Sequence, residues 1–328
     1  MLNVGLNLTQ NPDKFDKLKT QLINNLDNPS EINFINLQSE NDIKNNISNL
    51  DILHCYEVKR DFFIDASDRL KWIQIGAAGI ENSLISEVLQ SKVIITNASG
   101  IHAGPVSEYV MSTILYFSKR IKDFEVFKST KKWTQWDIAK KIIELKEQTI
   151  GIIGYGSIGK EIARKAKLFG MDVIATRRLQ KTVDSNRLVN QLIPISDLKM
   201  LLNNSDYVVV SCPLTPLTTN LISLKELKLM KKNAVIINIA RGQILNQNDL
   251  IYALENNIIN GAALDVFAKE PLEESSKLFN LDNVLMSPHI SGNYPNYQKD
   301  MMIQFADNLN RFITGKSLKN RVCKKRLY

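Results

Sequence analysis

The sequence predicts an α/β protein of two domains, and three observations carry that prediction. Short apolar, β-branched runs alternate with segments of helical length along nearly the whole chain, the pattern of parallel, doubly wound sheets. One such run, Thr149 to Ile153, leads straight into Gly154-Tyr155-Gly156-Ser157-Ile158-Gly159, three glycines at the spacing of a dinucleotide-binding turn. A Gly- and Pro-containing loop at 97–105 marks a hinge early in the chain, and a helical pattern from Pro295 to Phe312 is long enough to cross back and pack on the first domain. The expected organisation is a dinucleotide-binding domain, 100–289, inserted in a domain formed by 1–99 plus 290–328.

In the first domain the strand candidates are Leu2 to Leu8, Ile32 to Leu37, Asp51 to Tyr56, Trp72 to Ile75 and Val93 to Thr96. The loop Gly76-Ala77-Ala78-Gly79 follows the fourth and is small enough to offer consecutive N–H groups to a carboxylate, although a simple tight turn reads equally well. After the hinge, one long helical pattern runs from Val106 to about Phe127.

The glycine turn has a physical reason at each position. Gly154 permits the strand-to-helix turn, Gly156 lets backbone approach a pyrophosphate, and Gly159 lets the helix pack close to the strand. Ile158, Ile162, Ala163, Ala166 and Phe169 recur at three- and four-residue steps, one buried helix face, whose N-terminus presents free N–H groups to an anion. Gly170 stops the helix and Asp172 to Thr176 reads as the next strand. Where an Asp or Glu would accept the adenosine ribose hydroxyls, this chain has Arg177 followed by Arg178. Two guanidiniums bind a 2′-phosphate that a carboxylate would repel, so NADP(H) is favoured and NAD(H) is possible. Further strands are expected at Tyr207 to Ser211, Val235 to Ile239, Gly261 to Leu264 and Val284 to Met286.

With 328 residues, 44% of them hydrophobic, the chain is long enough for two cores. The net charge of +8 comes from lysines scattered among Asp and Glu rather than gathered in a stripe, which reads as a solvated surface and not a nucleic-acid site. Cys55, Cys212 and Cys323 stand far apart, with no metal-binding spacing, and fit a reducing cytoplasm. Neither a signal segment nor a run long enough to span a bilayer is present, so no membrane partner is expected.

Three late stretches carry the reactive residues: 234–242, a strand ending in Arg241; 263–271, with Asp265 and Glu270; and 286–292, with His289. Together these stretches resemble the D-isomer-specific 2-hydroxyacid dehydrogenase family, which implies hydride transfer to the keto carbon of a 2-oxo acid; that step builds negative charge on oxygen, so a proton donor working near neutral pH is needed, and histidine is the natural one. Of the three histidines, His54 at the end of an early strand and His102 in the hinge loop read as structural. A carboxylate beside His289 would fix its tautomer and stabilise its protonated form, a role that fits Glu270, and Arg241 can fork onto a substrate carboxylate and help polarise a keto oxygen.

The three signatures of the family that these stretches resemble centre on such an Arg, Glu and His. The resemblance extends to 70–74 before the Gly76 loop, to Glu108, to 212–218 and to 280–285. It implies a Rossmann domain inserted in a flavodoxin-like substrate domain, and a homodimer whose domains close on a small 2-oxo acid or D-2-hydroxy acid. It places Ser157 and Ile158 on the pyrophosphate, Cys212, Pro213 and Thr218 by the adenine side, Ile239 and Ala240 by the nicotinamide and Asp265 on its carboxamide. Ala78 and Gly79 fall where backbone N–H groups bind the substrate carboxylate. Arg177 departs from the Asp of many NAD-using members and resembles the NADP-using glyoxylate and hydroxypyruvate reductases. A D-3-phosphoglycerate dehydrogenase and a nucleotide-sensing co-repressor-like protein are the alternatives; the regulated form of the first is expected to carry an added C-terminal domain, and the second a long partner-binding tail.

Overall fold

Five parallel strands open the structure, β1 (Leu2–Leu6), β2 (Ile32–Asn36), β3 (Ile52–Cys55), β4 (Trp72–Ile75) and β5 (Ile94–Asn97), paired in the order β2-β1-β3-β4-β5. This is the flavodoxin-like order. Every residue of β3 and β4 is buried, as strands covered on both faces require. The helices between them are α1 (Pro12–Ile23), α2 (Glu40–Asn46), α3 (Arg60–Phe63) and α4 (Ser86–Gln90), and the first two start on local signals. The Asn11 side chain caps α1 ahead of Pro12, and Ser39 with Asp42 forms a capping box on α2.

The second sheet follows helices α5 (Ala103–Ser118), α6 (Ile121–Thr130) and α7 (Gln135–Ala139). It runs through β6 (Thr149–Ile153), α8 (Ser157–Leu168), β7 (Asp172–Arg177), β8 (Asp184–Asn186), β9 (Val189–Pro194), α9 (Leu198–Asn204) and β10 (Tyr207–Val210). It ends with α10 (Leu224–Leu227), β11 (Val235–Asn238), α11 (Gln247–Glu255), β12 (Gly261–Leu264) and β13 (Val284–Met286). The order is β13-β12-β11-β10-β6-β7-β9-β8, all parallel except β8. Strand order reverses between β6 and β10, the switch point at which such sheets bind nucleotides beyond the carboxyl ends of their strands. Successive residues feed opposite cores: Tyr207, Val209, Val235 and Ile237 pack on one face, Val208, Val210 and Ile236 on the other.

The computed structural model describes residues 1–328. Its two compact units are residues 1–101 with 294–328, and residues 102–293. The last helix, α12 (Tyr297–Ile313), belongs to the first unit, where Met301, Met302, Phe305, Ala306 and Leu309 pack with Trp72, Leu22 and Val4.

One expectation is corrected, and one element was not foreseen. The single helix from Val106 to about Phe127 is two helices, because Arg120 adopts a left-handed backbone (φ 58°) and its guanidinium bonds Asp123 at 2.9 and 3.2 Å. Arginine is a good helix former, so neither propensity nor apolar spacing signals that break. The β8–β9 hairpin was not expected: Asp184, Ser185 and Asn186 are all exposed, leaving no alternation to read.

Candidate active site

The glycine turn has the geometry a pyrophosphate needs. Gly154 sits at φ 108°, and a Cβ there would lie 2.7 Å from the Cys212 backbone nitrogen. A Cβ on Gly159 would fall 2.2 Å from the Gly154 carbonyl oxygen, so α8 can approach its own turn only without one. At Gly156, by contrast, a Cβ would meet no atom within 4 Å. That open space lies at the start of α8, whose first N–H groups, on Ser157, Ile158 and Gly159, have no intrahelical acceptor. The residues present therefore fit an anionic dinucleotide.

At the neighbouring strand, the Thr176 hydroxyl accepts from the Gly154 N–H at 3.2 Å and the Thr176 carbonyl from the Tyr155 N–H at 2.8 Å, tying β7 to the turn. Arg177 and Arg178 follow, both exposed. Burial pushes the Tyr155 phenol up, against the effects of its bond to Asn186 and the charge of Arg177, so the hairpin tip, Tyr155 and Arg177 border one another. Cys212 and Pro213 follow β10 across the switch point, while the Thr218 hydroxyl is engaged inside its own loop, donating to the Pro213 carbonyl at 2.8 Å and accepting from the Thr215 N–H at 2.7 Å.

The reactive residues stand at the carboxyl ends of β11, β12 and β13. Beyond β11 the buried Asn238 side chain shapes the turn, accepting from the Ala240 N–H at 3.1 Å and donating to the Arg241 carbonyl at 3.0 Å. Arg241 itself donates to the Ala240 carbonyl at 2.6 Å. Gly242 lets this turn sit against the next, since a Cβ would lie 1.9 Å from the Phe267 carbonyl carbon. Glu270 is held on one side by the Phe267 N–H at 2.9 Å, and its other oxygen meets His289 Nδ1 at 2.8 Å. The carboxylate can only accept, so Nδ1 carries the proton and Nε2 is the ring atom that can exchange one. The pair forms one wall of an apolar cavity of about 720 Å³.

His289 has a left-handed backbone (φ 54°), held by the chain around it. Its N–H donates to the Asp265 carbonyl at 2.8 Å, and the Asp265 carboxylate accepts from the Ile290 N–H at 2.8 Å, the Ser291 N–H at 3.0 Å and the Ser287 hydroxyl at 2.5 Å. Asp265 is fully buried and turned toward the histidine loop. Sequence reasoning missed Asn238, Gly242 and Ser287; all three act through backbone or through another side chain.

Of the other histidines, His54 is fully buried in β3 against Tyr56 and Phe305, and burial pulls its ring down to about 4. His102 precedes α5 with Nδ1 3.0 Å from the Gly292 carbonyl; burial, aided by the charge of Arg241, lowers it. In the first unit the carbonyls of Gly76, Ala77 and Ala78 accept from the Tyr297 hydroxyl, the Ala98 N–H and the Asn97 amide. A trans peptide sends its N–H opposite its carbonyl, so those three bonds turn the N–H groups of Ala77, Ala78 and Gly79 the other way.

Residues 111–291 match the family described as D-isomer specific 2-hydroxyacid dehydrogenase, NAD binding domain. The chain is also 33% identical to a glyoxylate reductase of Thermococcus litoralis over 80% of its own length and 79% of that protein's. It belongs to the D-isomer-specific 2-hydroxyacid dehydrogenase family. This dehydrogenase is thus an NAD(P)-dependent oxidoreductase of small 2-oxo and 2-hydroxy acids. It is 32% identical to a D-3-phosphoglycerate dehydrogenase of Methanocaldococcus jannaschii over 81% of its length, which is 50% of that protein. An NADPH-dependent glyoxylate/hydroxypyruvate reductase of Sinorhizobium meliloti, solved with NADP and sulfate, superposes with a TM-score of 0.84 over the whole of both chains at 23% identity, a likeness of fold. No helix is long and apolar enough to cross a membrane.

Proposed function

We propose that this dehydrogenase reduces glyoxylate, hydroxypyruvate or a similar small 2-oxo acid, preferring NADPH. The observation that carries the reading is the Glu270 carboxylate fixed between the Phe267 N–H and His289 Nδ1. It leaves one histidine nitrogen, Nε2, to work on a substrate oxygen. The glyoxylate reductase name of the Thermococcus relative supports the substrate class.

In this reading the glycine turn, Ser157 and Ile158 hold the pyrophosphate, Cys212, Pro213 and Thr218 flank the adenosine half, and Ile239, Ala240 and Asp265 border the nicotinamide half. The bound cofactor supplies a hydride. Arg241 holds the substrate and polarises its keto oxygen, and His289 Nε2 gives that oxygen its proton as charge develops on it. Glu270 keeps Nδ1 protonated throughout, and stabilises the imidazolium before transfer. Ala78 and Gly79 offer backbone donors to the substrate carboxylate. In the reverse direction neutral His289 accepts the hydroxyl proton at the same atom.

NADPH preference rests on Arg177 and Arg178, placed at the end of β7 where the adenosine ribose would lie. A homodimer is supported by exposed apolar side chains on and between α6 and α7, Phe124, Val126, Trp133 and Trp136, which a second copy would cover. The three unpaired cysteines fit a cytoplasmic setting. The test is a panel of glyoxylate, hydroxypyruvate, pyruvate, phosphohydroxypyruvate and branched 2-oxo acids, each with NADPH and NADH. Glyoxylate or hydroxypyruvate with NADPH should give the highest kcat/KM; phosphohydroxypyruvate leading the series would move the protein to the phosphoglycerate dehydrogenases.

A further inference from the structure

The Tyr109 hydroxyl lies 2.7 Å from the Ser287 hydroxyl, which donates at 2.5 Å to Asp265 Oδ1. Ser287 has one proton and the carboxylate takes it, so the direction of the first bond is settled: Tyr109 donates to Ser287. Burial and the negative charge of Asp265 push the Tyr109 phenol up, which keeps that donor protonated. The same Asp265 carboxylate binds the N–H groups of Ile290 and Ser291, and its backbone carbonyl binds the His289 N–H. Three hydroxyl and carboxylate groups therefore run in one direction from helix α5 to both sides of a histidine whose backbone is left-handed.

Helix α5 has a second attachment one residue earlier. Glu108 pairs with Lys165 of α8 at 3.1 Å, and the Lys165 ammonium also reaches the Gly104 carbonyl at 3.3 Å. Adjacent residues on a helix point about 100° apart, so α5 braces the cofactor helix with Glu108 and the proton-donor loop with Tyr109. A histidine displaced by a fraction of an ångström meets the forming alkoxide badly, a loss realised mainly in the transition state.

We propose that Tyr109, acting through Ser287 and Asp265, is a positioning residue for the His289 imidazole. The proposal rests on the reading of His289 as proton donor. Its signature is a loss in kcat without a loss in binding, shared by Tyr109 and Ser287 because both serve one chain of bonds. Tyr109→Phe removes one oxygen, and Ser287→Ala removes the hydroxyl that Ser287→Thr retains.

The test uses the full-length enzyme with glyoxylate and NADPH. Tyr109→Phe and Ser287→Ala should each lower kcat about fivefold or more, with both KM values within about twofold. Ser287→Thr should stay within about twofold of wild type, and the double variant should be no slower than Ser287→Ala alone. A Tyr109→Phe enzyme with wild-type kcat overturns the proposal, as does a double variant whose loss is the product of the two single losses. His289→Ala is run alongside: if it is fully active, the proton-donor reading fails, whereas an inactive His289→Ala beside unimpaired Tyr109→Phe and Ser287→Ala enzymes removes the relay alone.

Discussion

His289 Nδ1 stands 2.8 Å from Glu270, and the opposite oxygen of the same carboxylate accepts the Phe267 N–H at 2.9 Å, so the ring can neither flip nor change tautomer without breaking a charge-assisted bond. His289→Ala should lower kcat for reduction by about 10² to 10⁴ with cofactor affinity little changed, the range of general acid catalysis. Glu270→Gln replaces the anionic partner of Nδ1 with a neutral amide, so kcat for reduction should fall at least about tenfold, and the double variant with His289→Ala should be barely slower than His289→Ala alone, because both residues serve one proton transfer. A double variant whose loss is the product of the two single losses would separate Glu270 from the proton transfer.

Arg177 is the last residue of β7 and its side chain is exposed, so replacing it leaves the core untouched. Losing a bidentate phosphate contact costs about 1.5 to 3 kcal/mol, so Arg177→Asp should weaken NADPH at least about tenfold and spare NADH. Fluorescence titration of both cofactors measures this. A wild-type enzyme that prefers NADH would remove the premise.

His54 gives the first unit a pH dependence with a definite sign. Its ring is buried neutral and holds its proton only below about 4, whereas the unfolded chain takes one near 6.5. The contribution is complete above 6.5 and is lost as the pH falls toward 4, by up to about 3 kcal/mol in total. Neither ring nitrogen has a hydrogen-bond partner, so His54→Phe should fold and should flatten the decline. Denaturant midpoints measured between pH 7 and pH 4.5 check it, and an unchanged slope in the variant would exclude His54 as the source.

Most of the fold was legible because its strands are short β-branched runs such as Val208–Val210 and Val235–Ile237, buried on both faces and bounded by turns. The glycine turn was legible for a steric reason: two of its positions admit no side chain and the third leaves room for a ligand. What could not be read depends on contacts distant in sequence. Asp265 and Ser287 lie 22 residues apart and Tyr109 a further 178 from Ser287, and nothing local distinguishes a tyrosine that reaches a serine from one that packs. The break at Arg120 and the exposed strand β8 lack any apolar signal, and the left-handed backbone of His289 is tied to Asp265, a residue 24 positions earlier whose carbonyl accepts its N–H.

The glycine turn offers a test that separates binding from folding. At Gly156 a methyl group meets nothing within 4 Å, and the backbone (φ −89°, ψ −156°) is open to alanine, so Gly156→Ala should cost less than about 1 kcal/mol, the scale of a changed helix cap. The methyl would stand in the space next to the α8 N-terminus, where the pyrophosphate must approach the N–H groups, and NADPH affinity should fall at least about tenfold. At Gly159 the same methyl would lie 2.2 Å from the Gly154 carbonyl, so α8 must shift, and Gly159→Ala should lower thermal stability as well as cofactor binding. Thermal melts without cofactor and NADPH titrations on both variants decide the matter. A Gly156→Ala protein that melts early would mean that the space at the turn is not open to a methyl, and one that binds NADPH as well as wild type would mean that the dinucleotide does not lie there.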